Sequence, residues 1–276
     1  MDTSNANLGS NHSTPLLSNF DGAVSVDTYL KSLPSIYSPP MVPVIVAIYL
    51  SLVLVILPWY MAHRQPYKLQ TFLHLYNVGQ IMMNIGLCYM YTELMNYQPL
   101  KVWDNICAFV TSTNGANDDW VYLKIIQLVH MYCINKTLDL IDTIIFCLKK
   151  KHSQVTFLHV YHHVVMVLSS FITVYYLRVE LSTTLIALNS LVHVIMYTYY
   201  FLSNLGPSVR KYLWWKRHVT KLQILQFLLA LTLLGRLQME GCKQASHYAV
   251  MWGFTVATVL FLFCDFYKKA YIKKTA

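Results

Sequence analysis

The stretch FLHVYHHVVMVLSSFITVYY, Phe157 to Tyr176, decides the fold of this chain. A helix needs about 20 mostly apolar residues to cross the hydrocarbon core of a bilayer. This stretch has that length and contains no Asp, Glu, Lys or Arg. Its histidines occupy positions 159, 162 and 163, and that spacing puts them on one helical face. The stretch therefore predicts a membrane helix whose first turns carry three imidazoles.

The composition of the whole chain agrees with a membrane protein. Of 276 residues, 56% are hydrophobic and 12% are charged, whereas soluble domains are about 25% charged. The net charge of +9 comes from short basic clusters between apolar runs, which indicates membrane topology rather than a nucleic-acid surface. The six cysteines form no CxxC pair, so a zinc site or thioredoxin-type motif has no support.

Apolar runs predict an all-α polytopic membrane protein with seven transmembrane helices. The predicted spans are 41–60, 71–95, 121–148, 155–176, 182–205, 219–237 and 247–267. They divide the chain into a polar N-terminal tail (1–40), a seven-helix catalytic domain (41–267) and a basic C-terminal tail (268–276).

The distribution of Lys and Arg predicts the orientation of these spans. The connections richest in these residues contain Arg64, Lys68, Lys149 to Lys151, Arg210, Lys211, Lys216, Arg217, Lys268, Lys269, Lys273 and Lys274. This side is predicted to be cytosolic, so the N-terminus is lumenal and the C-terminus cytosolic.

Three features outside the spans have two interpretations each. Asn11 begins a glycosylation sequon on the predicted lumenal tail, or a chance match. Cys107 and Cys242 both lie in predicted lumenal loops, where a disulfide is permitted but not proved by the sequence. The final KKTA resembles a dilysine retrieval signal of the endoplasmic reticulum, or is an ordinary basic tail.

Polar residues recur at helical spacing inside four of the predicted spans. All four sets lie in the predicted cytosolic half of the membrane, and the lumenal halves of the same helices are largely apolar. The sets are Lys136, Asp139 and Asp142; His159, His162 and His163; His193, Met196, Tyr197 and Tyr200; and Thr220, Gln223 and Gln226. An ionisable group costs about 2.5–3.5 kcal/mol at the bilayer centre on insertion scales. The alternative is hydrogen bonding between helices, worth about 0.6 kcal/mol each. That alternative suits the Thr and Gln set, whereas the clustered His, Asp and Lys favour a reaction centre.

A metal site is the second hypothesis for the histidines. HxxHH also occurs in membrane di-iron desaturases and hydroxylases, which need roughly eight histidines in three boxes. This chain has one such box plus His193. Asp139 and Asp142 could complete one mononuclear site, because imidazole and carboxylate suit iron or zinc. We therefore predict no metal and keep a metal-dependent desaturase or hydroxylase as the alternative, with a transporter a more remote one.

Four motifs follow one another along the predicted spans. They are KTLDLIDT (Lys136 to Thr143), FLHVYHH (Phe157 to His163), NSLVHVIMYTYY (Asn189 to Tyr200) and TKLQILQ (Thr220 to Gln226). In order and spacing they resemble the ELO family of very-long-chain fatty acid elongases, from about the second span to the seventh. One position departs from the usual KxxExxDT, because Asp139 stands where the family has Glu.

The resemblance implies a reaction and a fold. Long-chain acyl-CoA and malonyl-CoA would condense to a 3-oxoacyl-CoA two carbons longer, with release of CO2 and CoA and without a cofactor. A 3-oxoacyl-CoA reductase, a 3-hydroxyacyl-CoA dehydratase and an enoyl-CoA reductase of the endoplasmic reticulum would complete the cycle. Six helices would form a ring around a closed-ended acyl tunnel, with one helix outside. Whether the chain forms a homo- or hetero-oligomer stays open.

The resemblance also assigns roles to residues. No cysteine falls in a motif, and a free imidazole has a pKa of about 6.5, so it is largely neutral at pH 7 and able to form an acyl intermediate. We predict His162 as the nucleophile, with His159, His163, His193, Asp139 and Asp142 as the other catalytic residues. The predicted substrate contacts are Lys136, Tyr197, Tyr200, Gln223, Gln226, Lys211, Lys216 and Arg217.

Overall fold

The computed structural model describes residues 26–33, 38–95, 118–177, 181–241 and 246–272, and within these ranges it contains helices and no strands. The helices are α1 (Val26–Ser32), α2 (Met41–Met61), α3 (Gln70–Leu94), α4 (Asp118–Leu138), α5 (Leu140–Leu148), α6 (Phe157–Ile172), α7 (Leu181–Asn204), α8 (Pro207–Arg210), α9 (Lys216–Met239) and α10 (Ser246–Tyr267). Single π-helical turns interrupt α2 and extend α6 and α10.

Five stretches among the described residues are long and apolar enough to cross a membrane: Met41–Met61, Phe157–Tyr176, Leu181–Asn204, Lys216–Met239 and Ser246–Ile272. The chain is therefore an all-helical multi-pass membrane protein. The predicted spans 71–95 and 121–148 correspond to α3 and to α4 with α5, which are more polar, and the count of seven spans stays a prediction.

The predicted span 121–148 is not one straight helix. It divides at Asp139, which lies between the end of α4 and the start of α5. Just before the break, the Thr137 hydroxyl donates to the Cys133 carbonyl at 2.9 Å. Such bonds to the carbonyl four residues back bend helices. The break lies within the polar set that the sequence singled out.

Loop contacts bring several helix ends together at one side of the bundle. The Tyr67 amide donates to the Leu148 carbonyl at 3.1 Å, and Lys150 Nζ donates to the Ala62 carbonyl at 3.3 Å. Gln70, at the start of α3, donates to the carbonyl of Asn204, at the end of α7. We call this side, which carries Lys149 to Lys151 and Lys211 to Arg217, the basic end.

The helices around the core are joined by buried polar contacts as well as apolar packing. Antiparallel α3 and α7 meet where Tyr91 and Thr184 share a hydrogen bond of 3.2 Å. Helix α2 packs against α5, where the Tyr49 hydroxyl lies 2.7 Å from Thr143 Oγ1. Its opposite face is exposed and apolar, as expected for a lipid-facing surface.

Two segments of the predicted tails are helical. Helix α1 lies in the predicted polar tail 1–40, and its Tyr29 hydroxyl lies 2.8 Å from His130 Nδ1 on α4. The π-helical turn Lys268–Ile272 continues α10 into the predicted C-terminal tail. Asn11, Cys107, Cys242, Lys273 and Lys274 lie outside the described residues, so the predicted glycosylation, disulfide and retrieval signal stay predictions.

Candidate active site

A buried ion pair lies at the break between α4 and α5. Lys136 Nζ donates to Asp139 Oδ2 at 2.7 Å, and both side chains are 2% exposed. Lys136 Nζ also lies 3.4 Å from Nδ1 of His193 on α7 and 5.0 Å from the centre of the Tyr132 ring. The structure thus brings together one predicted substrate contact and two predicted catalytic residues.

Tyr197 connects the two buried carboxylates. Its hydroxyl lies 2.9 Å from Asp139 Oδ1 and 2.7 Å from Asp142 Oδ2. Tyr197 is 0% exposed, and the rings of Tyr76 and Tyr200 meet it edge-on at 6.1 and 5.9 Å. The sequence placed Tyr197 among substrate contacts, whereas the structure gives it two protein carboxyl groups as partners.

The three histidines of α6 cluster in its first two turns. The Thr156 side chain caps the helix by accepting from the His159 amide at 3.2 Å. The ring centres of His159 and His163 lie 4.3 Å apart, and those of His162 and His163 lie 5.5 Å apart. His159 Nε2 is buried and has no hydrogen-bond partner among the described residues. The spacing of these imidazoles is as the sequence predicted.

A pocket lined mostly by apolar side chains lies about one turn further along the same helices, on the side away from the basic end, and none of the three histidines is among its lining residues. Its wall comes from five helices, α4, α6, α7, α9 and α10, while α3 packs behind α4 and α7. On α6 the lining residues Met166, Ser170 and Thr173 follow His162 on the same helical face. At the far end the Trp252 indole donates to Thr173 Oγ1 at 3.0 Å.

The predicted substrate contacts on α9 and just before it do not lie together. Gln226 is buried and lines the cavity. Gln223 Nε2 lies 3.4 Å from Met196 Sδ. The cations Lys211, Lys216 and Arg217 are exposed at the basic end, where Arg217 Nε donates to the Tyr267 hydroxyl at 2.8 Å. The structure therefore does not join these three cations to the buried Lys136.

Sequence reasoning missed two groups of polar residues. Asn189 lines the cavity and accepts a hydrogen bond from the Tyr132 hydroxyl at 3.0 Å. Gln80 and Asn84 are buried on one face of α3, and Asn84 Oδ1 accepts from Asn135 Nδ2 at 3.2 Å. The spacing of Asn77, Gln80 and Asn84 was the available signal, a fifth polar set at helical spacing.

Within the described part of the chain, no group of three or more His, Cys, Asp or Glu residues is arranged to bind a metal ion. The described cysteines Cys88, Cys133, Cys147 and Cys264 are free thiols. The predicted absence of a metal therefore stays a prediction for chemical analysis.

Comparisons with known proteins agree with the resemblance seen in the motifs. The model of the ELO family, described as the GNS1/SUR4 family, matches residues 34–276. Very long chain fatty acid elongase 1 of Mus musculus is 31% identical over 249 residues, which are 90% of this chain and 87% of that protein. Very long chain fatty acid elongase 7 of Rattus norvegicus is 32% identical over 240 residues, 86% and 82% of the two chains. Very long chain fatty acid elongase 5 of Xenopus laevis is 34% identical over 219 residues, which are 79% of this chain and 71% of that protein.

Proposed function

This chain belongs to the GNS1/SUR4 (ELO) family, and from that premise we propose that it is the condensing enzyme of fatty acid elongation. Long-chain acyl-CoA, malonyl-CoA and one proton give 3-oxoacyl-CoA two carbons longer, CO2 and CoA. The observation that carries the proposal is the imidazole cluster of α6, which precedes the pocket-lining part of the same helix, together with the buried Lys136–Asp139 pair. The CoA thioesters are substrates, and no cofactor is part of the proposal.

The first half-reaction transfers the acyl group to His162. An imidazole nitrogen attacks the thioester carbonyl, a C–N bond replaces the C–S bond, and the imidazole proton ends on the CoA thiolate. His162 shares a helical face with the cavity-lining Met166, Ser170 and Thr173. An acyl group on His162 would therefore lead its chain into the cavity.

In the second half-reaction malonyl-CoA loses CO2, and the resulting enolate carbon attacks the acyl-imidazole. Negative charge develops on the enolate oxygen, and buried cationic or N–H groups stabilise such charge strongly. Lys136 and His193 are the proposed sources of that stabilisation, with His159 and His163 handling protons. The exposed Lys211, Lys216 and Arg217 are proposed contacts for the phosphates of CoA.

The proposed acyl site is given a length scale by the part of α6 from His162 to the pocket-lining Thr173. From His162 to Thr173 the helix rises about 16 Å, at about 1.5 Å per residue. With C–C bonds of about 1.5 Å, an extended alkyl chain advances about 1.25 Å per carbon, so about 13 carbons span this distance. The proposed acceptor is therefore an acyl-CoA of about 14 carbons, counting the carbonyl.

The cellular setting follows from the same proposal. We place the protein in the endoplasmic reticulum membrane with its basic end and C-terminus cytosolic, where CoA esters are available. The three other enzymes of the elongation cycle are its proposed partners, because they consume its product.

Purified protein given malonyl-CoA with a panel of saturated acyl-CoAs tests the proposed activity. Product analysis by mass spectrometry should find 3-oxoacyl-CoA two carbons longer than each accepted substrate. Microsomes that lack the protein provide the background. Decarboxylation without chain extension, or desaturated product that requires iron, would contradict the proposal.

A further inference from the structure

The two short contacts of the Tyr197 hydroxyl are best aligned when one of its two carboxyl partners also carries a proton. A phenol carries one hydroxyl hydrogen, and an ionised carboxylate carries none. Yet the Tyr197 oxygen lies 2.9 Å from Asp139 Oδ1 and 2.7 Å from Asp142 Oδ2. A single hydroxyl hydrogen can be well aligned along only one of these two contacts. An un-ionised acid at one of the two carboxyl groups supplies a well-aligned proton for the other contact.

The surroundings decide which carboxyl group holds the proton. Asp139 Oδ2 accepts a hydrogen bond from the Lys136 ammonium at 2.7 Å, and a neighbouring cation favours the charged carboxylate. Asp142 has no such ion pair among the described residues, and the ionised Asp139 disfavours a second charge beside it. Tyr197 can then accept from the acid of Asp142 while it donates to the carboxylate of Asp139.

We infer that Asp142, Tyr197 and Asp139 form a proton relay that leads from the basic end to His193. Asp142 lies on α5, nearer the basic end, and is 8% exposed, whereas Asp139 and Tyr197 are 1% and 0% exposed. Lys136 Nζ continues the path from Asp139, and lies 3.4 Å from His193 Nδ1. Titratable groups that face the relay from the helices around it include Tyr132 of α4, Tyr76 of α3 and Tyr200 of α7.

The relay rests on the proposed function, because that reaction consumes one proton per turnover. The acyl-transfer half conserves protons, since the imidazole proton goes to the CoA thiolate. In the condensation half, malonyl-CoA gives up its negative charge as CO2 leaves, and His162 departs as an imidazole anion. One N–H bond of His193 breaks to form the N–H bond of His162, and His193 takes a proton from Lys136, which is resupplied in turn by Asp139, Tyr197 and Asp142. The net change is loss of the O–H bond of Asp142, which regains a proton from water at the basic end.

Infrared spectroscopy tests the stored proton without any catalysis. The folded wild-type protein at neutral pH should show the C=O stretching band of an un-ionised carboxyl group, shifted in D2O. Asp142→Asn should lose that band. Tyr49→Phe is the matched control, because it removes a buried hydroxyl from Thr143, next to Asp142, and should keep it. Absence of the band from the wild type would overturn the inference.

Separation of the two half-reactions tests the use of that proton. Asparagine still donates to the Tyr197 oxygen but releases no proton. Asp142→Asn should therefore release CoA from acyl-CoA alone within about twofold of wild type, while full turnover falls by about 100-fold, the scale of general acid catalysis. Tyr49→Phe should retain both rates. Tyr197→Phe repeats the test if Asp142→Asn fails to fold.

The outcomes separate the relay from the proposed function. Equal loss of both half-reactions in a folded Asp142→Asn, or near wild-type turnover, would overturn the relay. Failure of the wild type to extend any acyl-CoA would overturn the proposed function, and the infrared band would then still report the proton on Asp142.

Discussion

Replacement of Trp252 by Leu should lengthen the acyl chain that the enzyme prefers. The Trp252 side chain is 7% exposed, lines the pocket near its far end, and is held by its bond to Thr173. Leu keeps the site apolar but removes most of the indole, so the cavity should accept about two more carbons. Thr173 keeps a partner, because its hydroxyl also donates to the Ser169 carbonyl at 2.9 Å.

The expected size of the effect follows from methylene burial. Each buried methylene contributes about 0.8 kcal/mol, which is about a fourfold change in kcat/KM at about 1.36 kcal/mol per tenfold. Two more buried methylenes should raise kcat/KM for an acyl-CoA of about 16 carbons by about 15-fold in Trp252→Leu relative to wild type. Substrates of about 12 carbons, which do not reach the far end, should change little.

The assay is a series of initial rates with saturated acyl-CoAs of graded length at a fixed malonyl-CoA concentration. Trp214→Leu is the matched control, because Trp214 is 77% exposed and lies outside the cavity. An unchanged optimum in folded Trp252→Leu, or the same shift in Trp214→Leu, would refute the conclusion that this cavity measures the acyl chain.

Three further predictions concern stability, topology and metal. Asp139→Ala should lower the free energy of unfolding by about 3–5 kcal/mol, because it leaves the Lys136 ammonium buried and unpaired. Loss of the exposed Lys269–Asp265 pair should lower it by under about 1 kcal/mol. Thermal unfolding in detergent measures both effects, and equally small effects would contradict the buried ion pair. Protease treatment of sealed microsomes should remove a C-terminal tag and spare an N-terminal one. The reverse pattern would contradict the predicted orientation of the membrane helices. Elongation should survive prolonged dialysis against chelators, and stoichiometric iron in the active protein would revive the desaturase alternative.

The sequence predicted the parts of the site that lie within single helices. Spacing alone put His159, His162 and His163 on one face of α6, and it put Lys136 beside Asp139, where the structure has a 2.7 Å ion pair. Both predictions rest on the period of one helix, which the sequence displays directly.

Contacts between helices were harder to predict because they depend on how one helix lies against another. The role of Tyr197 depends on the register between α7 and α5, and no spacing within either helix reports it. Ser170, Thr173 and Ser182 line the pocket, although they lie in lumenal helix halves that were predicted to be largely apolar. The break at Asp139 was missed because Leu140 to Leu148 continue the helical pattern of the preceding residues.

The proposed mechanism depends on an acyl-imidazole at His162, and one measurement tests that intermediate directly. Purified protein is incubated with acyl-CoA in the absence of malonyl-CoA, quenched, digested and analysed by mass spectrometry. We predict release of CoA together with an added acyl mass on His162, and loss of both in His162→Ala. An acyl group on another residue, or a His162→Ala variant that elongates at near the wild-type rate, would contradict it.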